Sequence, residues 1–93
     1  MKTVTIQIGN TDDKLKQAEW SDFVATAGQA IHSLAEKVHF FGGSSAFEHW
    51  QNAAWVIVCD GTAMDALKAR LEDIREGYQQ ESVAWTEGET EFI

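Results

Sequence analysis

Few side chains in this chain could bind a metal or act as an acid or base, and they are widely separated. His32, His39 and His49 lack the paired spacing of metal ligands, and Cys59 is the only cysteine. Glu48 is adjacent to His49, but neighbouring residues rarely point the same way and no nucleophile accompanies them. The sequence therefore predicts no metal, no cofactor and no catalytic residue, and it favours a protein that is not an enzyme.

The glycine-serine stretch Gly42–Ser45 has the composition of a phosphate-binding loop but not its context. It lacks the lysine and the strand-to-helix transition of such loops, so it predicts a bend or bulge. Cys59 ends an apolar segment, which favours a buried small hydrophobic residue. A reactive thiol at the start of the following helix is the alternative.

Trp50 is the aromatic residue whose neighbours most suggest recognition. It lies in a corner with His49 before it and the amides Gln51 and Asn52 after it. An exposed tryptophan flanked by amides is typical of a binding hot spot. The alternative is a ring folded back over the end of the sheet.

Three carboxylates alternate near the end of the chain, at Glu87, Glu89 and Glu91. Alternate residues of a strand are about 6.4–6.8 Å apart, roughly two steps along one strand of nucleic acid. Such a row could imitate a phosphate backbone and occupy a basic groove. The alternative is protection of an edge strand from pairing with another sheet.

The composition predicts one small acidic domain over residues 1–93. The net charge of −8 argues against binding to nucleic acid or anionic membranes and is compatible with a larger, partly basic protein partner. No apolar run is long enough for a membrane span, and the alternating N-terminus predicts no export signal. A single cysteine favours the cytoplasm.

Hydrophobic periodicity predicts the elements that position these residues. Period-2 alternation at Thr3–Ile8 indicates a strand, and helical spacing from Trp20 towards Val38 indicates a helix, despite Gly28 in its middle. The remaining predicted elements are strands at Val38–Phe41 and Ala54–Cys59, a helix at Thr62–Gly77, a strand at Ser82–Thr86 and a short fifth strand at Glu89–Ile93.

This order predicts an α+β, ferredoxin-like βαββαβ sandwich, with a four-stranded antiparallel sheet in the order 4-1-3-2 and both helices on one face. Three connecting segments then meet at one end of the sheet, where function usually concentrates. The predicted binding residues at that end are Asn10, Asp12, Asp13, Glu48, His49, Trp50, Gln51 and Asn52. Glu87, Glu89 and Glu91 complete the predicted set.

Several stretches give the chain a resemblance to small uncharacterised proteins of bacteria and their phages. They are DDKL at 12–15, QAEW at 17–20, HWQNAAW at 49–55 and YQQESVAWTEGETEFI at 78–93. The resemblance implies a stand-alone small protein and brings no established activity. By class it is similar to phage counter-defence inhibitors of the anti-CRISPR kind, which act by binding.

Two function hypotheses follow, with a third for assembly. The first is a non-enzymatic inhibitor that binds a nucleic-acid-handling host defence complex through its acidic surface and the Trp50 corner. The second is a ferredoxin-like ligand-binding or small enzymatic domain that acts as a homodimer, with a pocket near His39, Phe41 and Trp55 or Val56. The third is a structural subunit that dimerises through its open sheet face.

Overall fold

Six regular elements make up the part of the chain that the computed structural model describes, which comprises residues 2–10, 14–44 and 51–93. In chain order they are β1 (Lys2–Gly9), α1 (Gln17–Leu34), β2 (Lys37–Gly43), β3 (Asn52–Val58), α2 (Gly61–Gly77) and β4 (Ala84–Glu89). Within those residues, neither helix is long and apolar enough to cross a lipid bilayer.

The four strands form one open sheet in the order β2-β3-β1-β4, and every neighbouring pair is antiparallel. Each helix joins two parallel strands that have one antiparallel strand between them. Right-handed crossovers of this kind place both helices on the same face of the sheet. The predicted ferredoxin-like α+β fold and its strand order are therefore confirmed.

Alternation along the two central strands creates the core. Val4 and Ile6 on β1 are inaccessible to solvent, and they pair with Ile57 and Trp55 on β3, which are equally buried. Burial of each such side chain stabilises the fold by roughly 1.5–3 kcal/mol. The helices complete this core with Trp20, Phe23, Ala27, Ala30 and Ile31 from α1 and Leu67 and Leu71 from α2.

β2 extends further than the sequence prediction, which placed a break at Gly42–Ser45. The strand continues to Gly43, because a Cβ atom there would lie only 2.4 Å from the backbone oxygen of Asn52 and the glycine permits this close approach. A bulge between Val38 and Phe40 shifts the register of this strand. As a result Phe41, and not Phe40, lies on the helix side of the sheet, opposite Trp55.

Both helices begin before the predicted caps. The predicted Thr62 start is wrong, because Asp60 caps α2 instead, and its Oδ1 accepts a hydrogen bond from the Ala63 backbone at 2.9 Å. Ser21, although a typical capping residue, does not cap α1. Ser21 lies inside that helix, and the Glu19 carboxylate accepts a hydrogen bond from the Lys16 backbone at 3.0 Å.

The short fifth strand predicted at Glu89–Ile93 is wrong. β4 continues through Glu87 and Gly88 to Glu89, because β1 extends to Lys2 and its residues from Lys2 to Gln7 offer backbone partners. The described residues after Glu89 add no further strand. The C-terminal residues therefore lengthen an edge strand and do not fold back to form a new one.

The open face of the sheet, opposite the helices, is uncharged across its centre. Its residues are Thr5 and Gln7 on β1, Phe40 on β2, Ala54 and Val56 on β3, and Ala84 and Thr86 on β4. Phe40 is half-exposed there. Of the residues predicted for a pocket, Val56 lies on this face, whereas Phe41 and Trp55 lie on the helix side.

A candidate ligand-binding groove beside α1

A groove of about 860 Å³ lies between α1 and the side of the sheet formed by β2 and β3. We call it the α1 groove. Its volume is within the usual range of small-molecule sites, roughly 300–1,000 Å³. The residues that line it are Gln17, Trp20, Ser21, Val24, Ala25, Gly28, Gln29 and His32 on α1, and Phe41, Ser44, Gln51 and Trp55 on the sheet side.

The helical wall of the α1 groove follows from residue spacing. Its residues recur every three or four positions from Gln17 to His32, so they form one stripe beside the buried stripe of the same helix. Ala25 and Gly28 in the middle of this stripe are small and leave space. Although the chain carries a net charge of −8, no Asp, Glu, Lys or Arg is among the described residues that line the groove.

The sheet side contributes an aromatic floor. Trp55 is only 1% exposed as a whole. Phe41 lies against it, with ring centroids 5.1 Å apart and an interplanar angle of 32°, and 53% of Phe41 remains exposed. An aromatic side chain exposed to this degree beside a buried one offers a flat apolar surface to a partner.

A network of side-chain amides holds one end of the α1 groove in place; Asn10 and Gln51 are buried and Gln17 is exposed. Gln17 and Gln51 exchange two hydrogen bonds, at 3.1 and 2.9 Å, between their side-chain amides. Asn10 donates to the Leu15 carbonyl at 2.9 Å and accepts from the Leu15 backbone N–H at 3.0 Å. Its backbone N–H also donates to the Gln51 carbonyl at 2.8 Å. The network therefore ties β1, α1 and the start of β3 together.

The predicted meeting of loops at one end of the sheet is confirmed for the described residues. Asn10 bonds to Gln51, and Lys14 lies 3.9 Å from the Glu81 carboxylate in the turn after α2. Asn52 at the start of β3 lies against Gly9 at the end of β1. The topology thus brings together the segments that the sequence analysis selected.

Two of the residues predicted to form an exposed binding patch at this end are buried instead. Asn10 and Gln51 are buried, with 1% and 3% exposure, so their hydrogen bonds stabilise the fold and they do not offer a surface to a partner. Asn52 is exposed, and its backbone N–H donates to the Ser44 hydroxyl at 2.8 Å. Five predicted binding residues lie outside the described part of the chain: Asp12, Asp13, Glu48, His49 and Trp50.

The predicted carboxylate row is only partly regular. Glu87 and Glu89 belong to β4, but Glu91 follows its end, so the strand spacing does not extend to that residue. The Glu87 carboxylate accepts a hydrogen bond from Trp85 Nε1 at 2.9 Å and lies 3.5 Å from the Lys68 ammonium. The hydrogen bond from Trp85, followed by the charge of Lys68, lowers the pKa of Glu87.

Cys59 is buried, which confirms the prediction of a small hydrophobic residue. Its Sγ lies 3.7 Å from the Leu34 carbonyl oxygen. Burial raises the pKa of the thiol, and the nearby carboxylates Asp60 and Glu36 raise it further. A raised pKa lowers the thiolate fraction at neutral pH, which argues against the alternative of a reactive thiol.

The sequence analysis missed most of the α1 groove. Gly28 was the available signal, because a glycine in the middle of a helix costs about 1 kcal/mol relative to alanine. A helix that crosses the sheet closely is a common reason for such a glycine, but the contact distances do not require it here. A Cβ atom at this position would lie 3.6 Å from Trp55 Cζ2, an ordinary contact distance. What the glycine leaves is room for about one methyl group beside the edge of the Trp55 indole.

Comparison with known proteins adds a likeness of fold. No protein family matches the chain, and no curated protein matches it either. An uncharacterised protein from Thermotoga maritima has 15% identity over 94% of this chain and 91% of its own, with a TM-score of 0.52. A phage SAM lyase, solved in its apo state, has 18% identity over 94% of this chain and 78% of its own, with a TM-score of 0.46. The Thermotoga protein shows that this fold occurs elsewhere, and at such low identity the likeness concerns the fold alone.

Proposed function

We propose that this chain is a non-enzymatic binding domain and that the α1 groove is its ligand site. The observation that carries the proposal is the half-exposed Phe41 ring packed on buried Trp55, directly opposite a helix face of small and uncharged residues. Pockets that bind small molecules are mostly apolar and contain a few polar groups that orient the ligand. Gln29, His32 and Ser44 supply such groups here.

The lining favours an uncharged, flat ligand. A charged ligand would lose hydration without gaining a partner of opposite charge from residues 14–44 or 51–93, because none of those that line the groove is Asp, Glu, Lys or Arg. A planar ring could stack on Phe41 and lie over the small residues Ala25 and Gly28. Ring stacking of this kind contributes about 0.5–1.5 kcal/mol beyond the burial of apolar area.

The groove chemistry fits binding better than turnover. His32 is its single titratable side chain, and no hydrogen bond joins it to a nucleophile among the described residues. The Ser44 hydroxyl accepts a hydrogen bond from Asn52 and donates towards the Asn52 carbonyl at 3.4 Å, which ties it to the sheet. Nucleophilic catalysis requires a base within reach of the nucleophile, and this lining does not provide one.

The proposal is tested with a panel of neutral one- and two-ring aromatic fragments, observed by two-dimensional NMR of the ¹⁵N-labelled protein. We expect saturable shifts of the Gly28, Gln29 and Ser44 amides. Anionic analogues of the same fragments should bind more weakly. A panel that produces no saturable shift at these amides, or that binds elsewhere, would overturn the proposal.

Two neighbouring phenylalanines give a matched pair of variants. Phe41→Ser should weaken fragment binding about tenfold, because it removes the stacking surface and the apolar contact. Phe40→Ser is the control, since Phe40 is equally exposed but lies on the opposite face of the sheet. Equal losses in both variants would contradict the assignment of the site.

A second candidate function is the inhibitor hypothesis, in which the acidic surface binds a larger, partly basic protein of a nucleic-acid-handling complex. Two observations favour it: the net charge of −8, and the position of Glu87 and Glu89 on β4, an edge strand whose outer side has no neighbouring strand in the sheet. Clusters of one charge on an edge steer association with the opposite charge.

The inhibitor hypothesis predicts binding that depends on salt. Affinity for a basic partner captured from host lysate should fall steeply between low and physiological ionic strength, and reversal of Glu89 and Glu91 to Lys should weaken it further. Charge reversal of Asp65 and Glu72 on α2 changes the net charge by the same amount. Comparison of the two variants therefore shows whether the position of the carboxylates matters in addition to the net charge. Affinity that is insensitive to both salt and the β4 reversals would rule out this candidate.

A further inference from the structure

The indole N–H of Trp55 has no hydrogen-bond acceptor within the described residues, although the side chain is 99% buried. Trp85 offers the contrast, because its indole N–H donates to Glu87 at 2.9 Å. No described side-chain N or O that is cut off from solvent lacks a hydrogen-bond partner, so solvent still reaches the Trp55 N–H, and an acceptor on a ligand could take the place of that solvent. Trp55 lines the α1 groove, so an acceptor that enters the groove could reach it.

Gly28 leaves this N–H accessible. A Cβ atom at position 28 would meet the indole edge, with Trp55 Cζ2 at 3.6 Å and Nε1 at 3.8 Å as its nearest neighbours. Alanine would fit there without a clash and is the better helix former. The glycine therefore gives up helix stability at a position where sterics do not require it, and the space it leaves lies over the N–H edge of Trp55.

We infer that the ligand of the α1 groove carries an uncharged hydrogen-bond acceptor, such as a ring carbonyl, that docks on Trp55 Nε1 through the notch at Gly28. This inference rests on the proposed ligand-binding function and narrows its ligand class. A neutral acceptor fits better than a carboxylate, because the described lining of the groove includes no Lys or Arg to balance a negative charge. The flat ring that carries the acceptor would then lie towards Phe41.

The test uses two probes of similar size, coumarin and naphthalene. Coumarin carries a ring carbonyl, and naphthalene has no acceptor. In titrations of the ¹⁵N-labelled protein, coumarin should bind about tenfold more tightly, the effect of one buried hydrogen bond. It should also shift the Trp55 indole N–H resonance downfield, and naphthalene should not.

Gly28→Ala closes the notch and is expected to remain folded. It should lower coumarin affinity about tenfold, leave naphthalene affinity nearly unchanged and not lower Tm. Gly77→Ala at the end of α2 is the matched control, because nothing lies within 4 Å of its Cβ position. It should leave the affinity for both probes unchanged.

The outcomes separate this inference from the proposed function. Equal affinities for coumarin and naphthalene, or full coumarin affinity in Gly28→Ala, would overturn the docking of an acceptor on Trp55 and leave the groove as a site. If neither probe nor any other member of the fragment panel binds at the groove, the proposed function itself fails.

Discussion

Replacing Trp55 by alanine is expected to reduce the free energy of unfolding by about 3–5 kcal/mol. Trp55 is 1% exposed, lies in the middle of β3 and contacts Phe41, and the indole edge faces α1. Its removal would leave a cavity between sheet and helix that neighbouring side chains can fill only in part. A domain of this size has a total stability of roughly 5–14 kcal/mol, so the variant would be close to unfolding at physiological temperature.

Trp85→Ala is the matched control for the same residue type. Trp85 is only partly buried: it packs against the edge of the core, the Lys68 ammonium lies 5.0 Å from its ring centroid, and its indole N–H donates to the Glu87 carboxylate. We expect a loss of about 1 kcal/mol. Urea unfolding followed by circular dichroism measures both variants. Similar losses would show that Trp55 does not have the central packing position assigned to it.

Asn10→Asp is expected to destabilise the fold by about 3–5 kcal/mol at pH 7, although the two side chains have the same shape. The Asn10 amide donates to the Leu15 carbonyl and accepts from the Leu15 N–H, and it is 1% exposed. A carboxylate can replace the acceptor but not the donor. It would place a buried negative charge beside the Leu15 carbonyl oxygen and the Gln51 side-chain oxygen, which lies 3.5 Å from Asn10 Nδ2.

The defect of Asn10→Asp should depend on pH. Burial raises the pKa of the introduced carboxyl above its unfolded value of about 3.9, so the variant loses stability relative to wild type as pH rises above roughly 4. The protonated form can again donate to the Leu15 carbonyl. Urea unfolding at about pH 3.5 and pH 7 measures the difference. Asn52→Asp, at an exposed position, is the control. A defect of equal size at both pH values would contradict the buried-donor account.

The fold followed from patterns that are local in the sequence. The alternation at Thr3–Ile8 has period 2, which only a half-buried strand satisfies, and it corresponds to β1. The helical stripe from Trp20 to Ile31 corresponds to the buried face of α1. With six elements in this order, the handedness of crossovers leaves few arrangements. Strand ends were less predictable, because Glu87 and Gly88 have turn chemistry but find partners on β1.

The candidate site depends on contacts between residues far apart in the sequence, which a local sequence pattern cannot predict. Gln51 and Asn10 have the composition of an exposed corner, but their amides are satisfied by Gln17 and Leu15, so both are buried. The α1 groove requires Phe41, and not Phe40, to face the helices. The bulge in β2 decides which phenylalanine faces the helices, and no residue in Val38–Phe41 is of a type that would predict a bulge. The sequence shows Gly28 as an unfavourable residue inside a helix. Its role could be interpreted only once the structure placed Trp55 next to it.

The two adjacent phenylalanines make the aromatic floor tolerant of a one-residue shift of register in β2. If the bulge were lost and His39 paired regularly opposite Val56, Phe40 would move to the position opposite Trp55, where Phe41 now lies. An aromatic ring would therefore still cover the floor of the groove, and the second ring would still lie on the other face. With one phenylalanine instead of two, the same single-residue change would remove the ring from the groove. The duplication thus makes the aromatic floor robust to a shift of strand register, a kind of change that point substitutions do not sample.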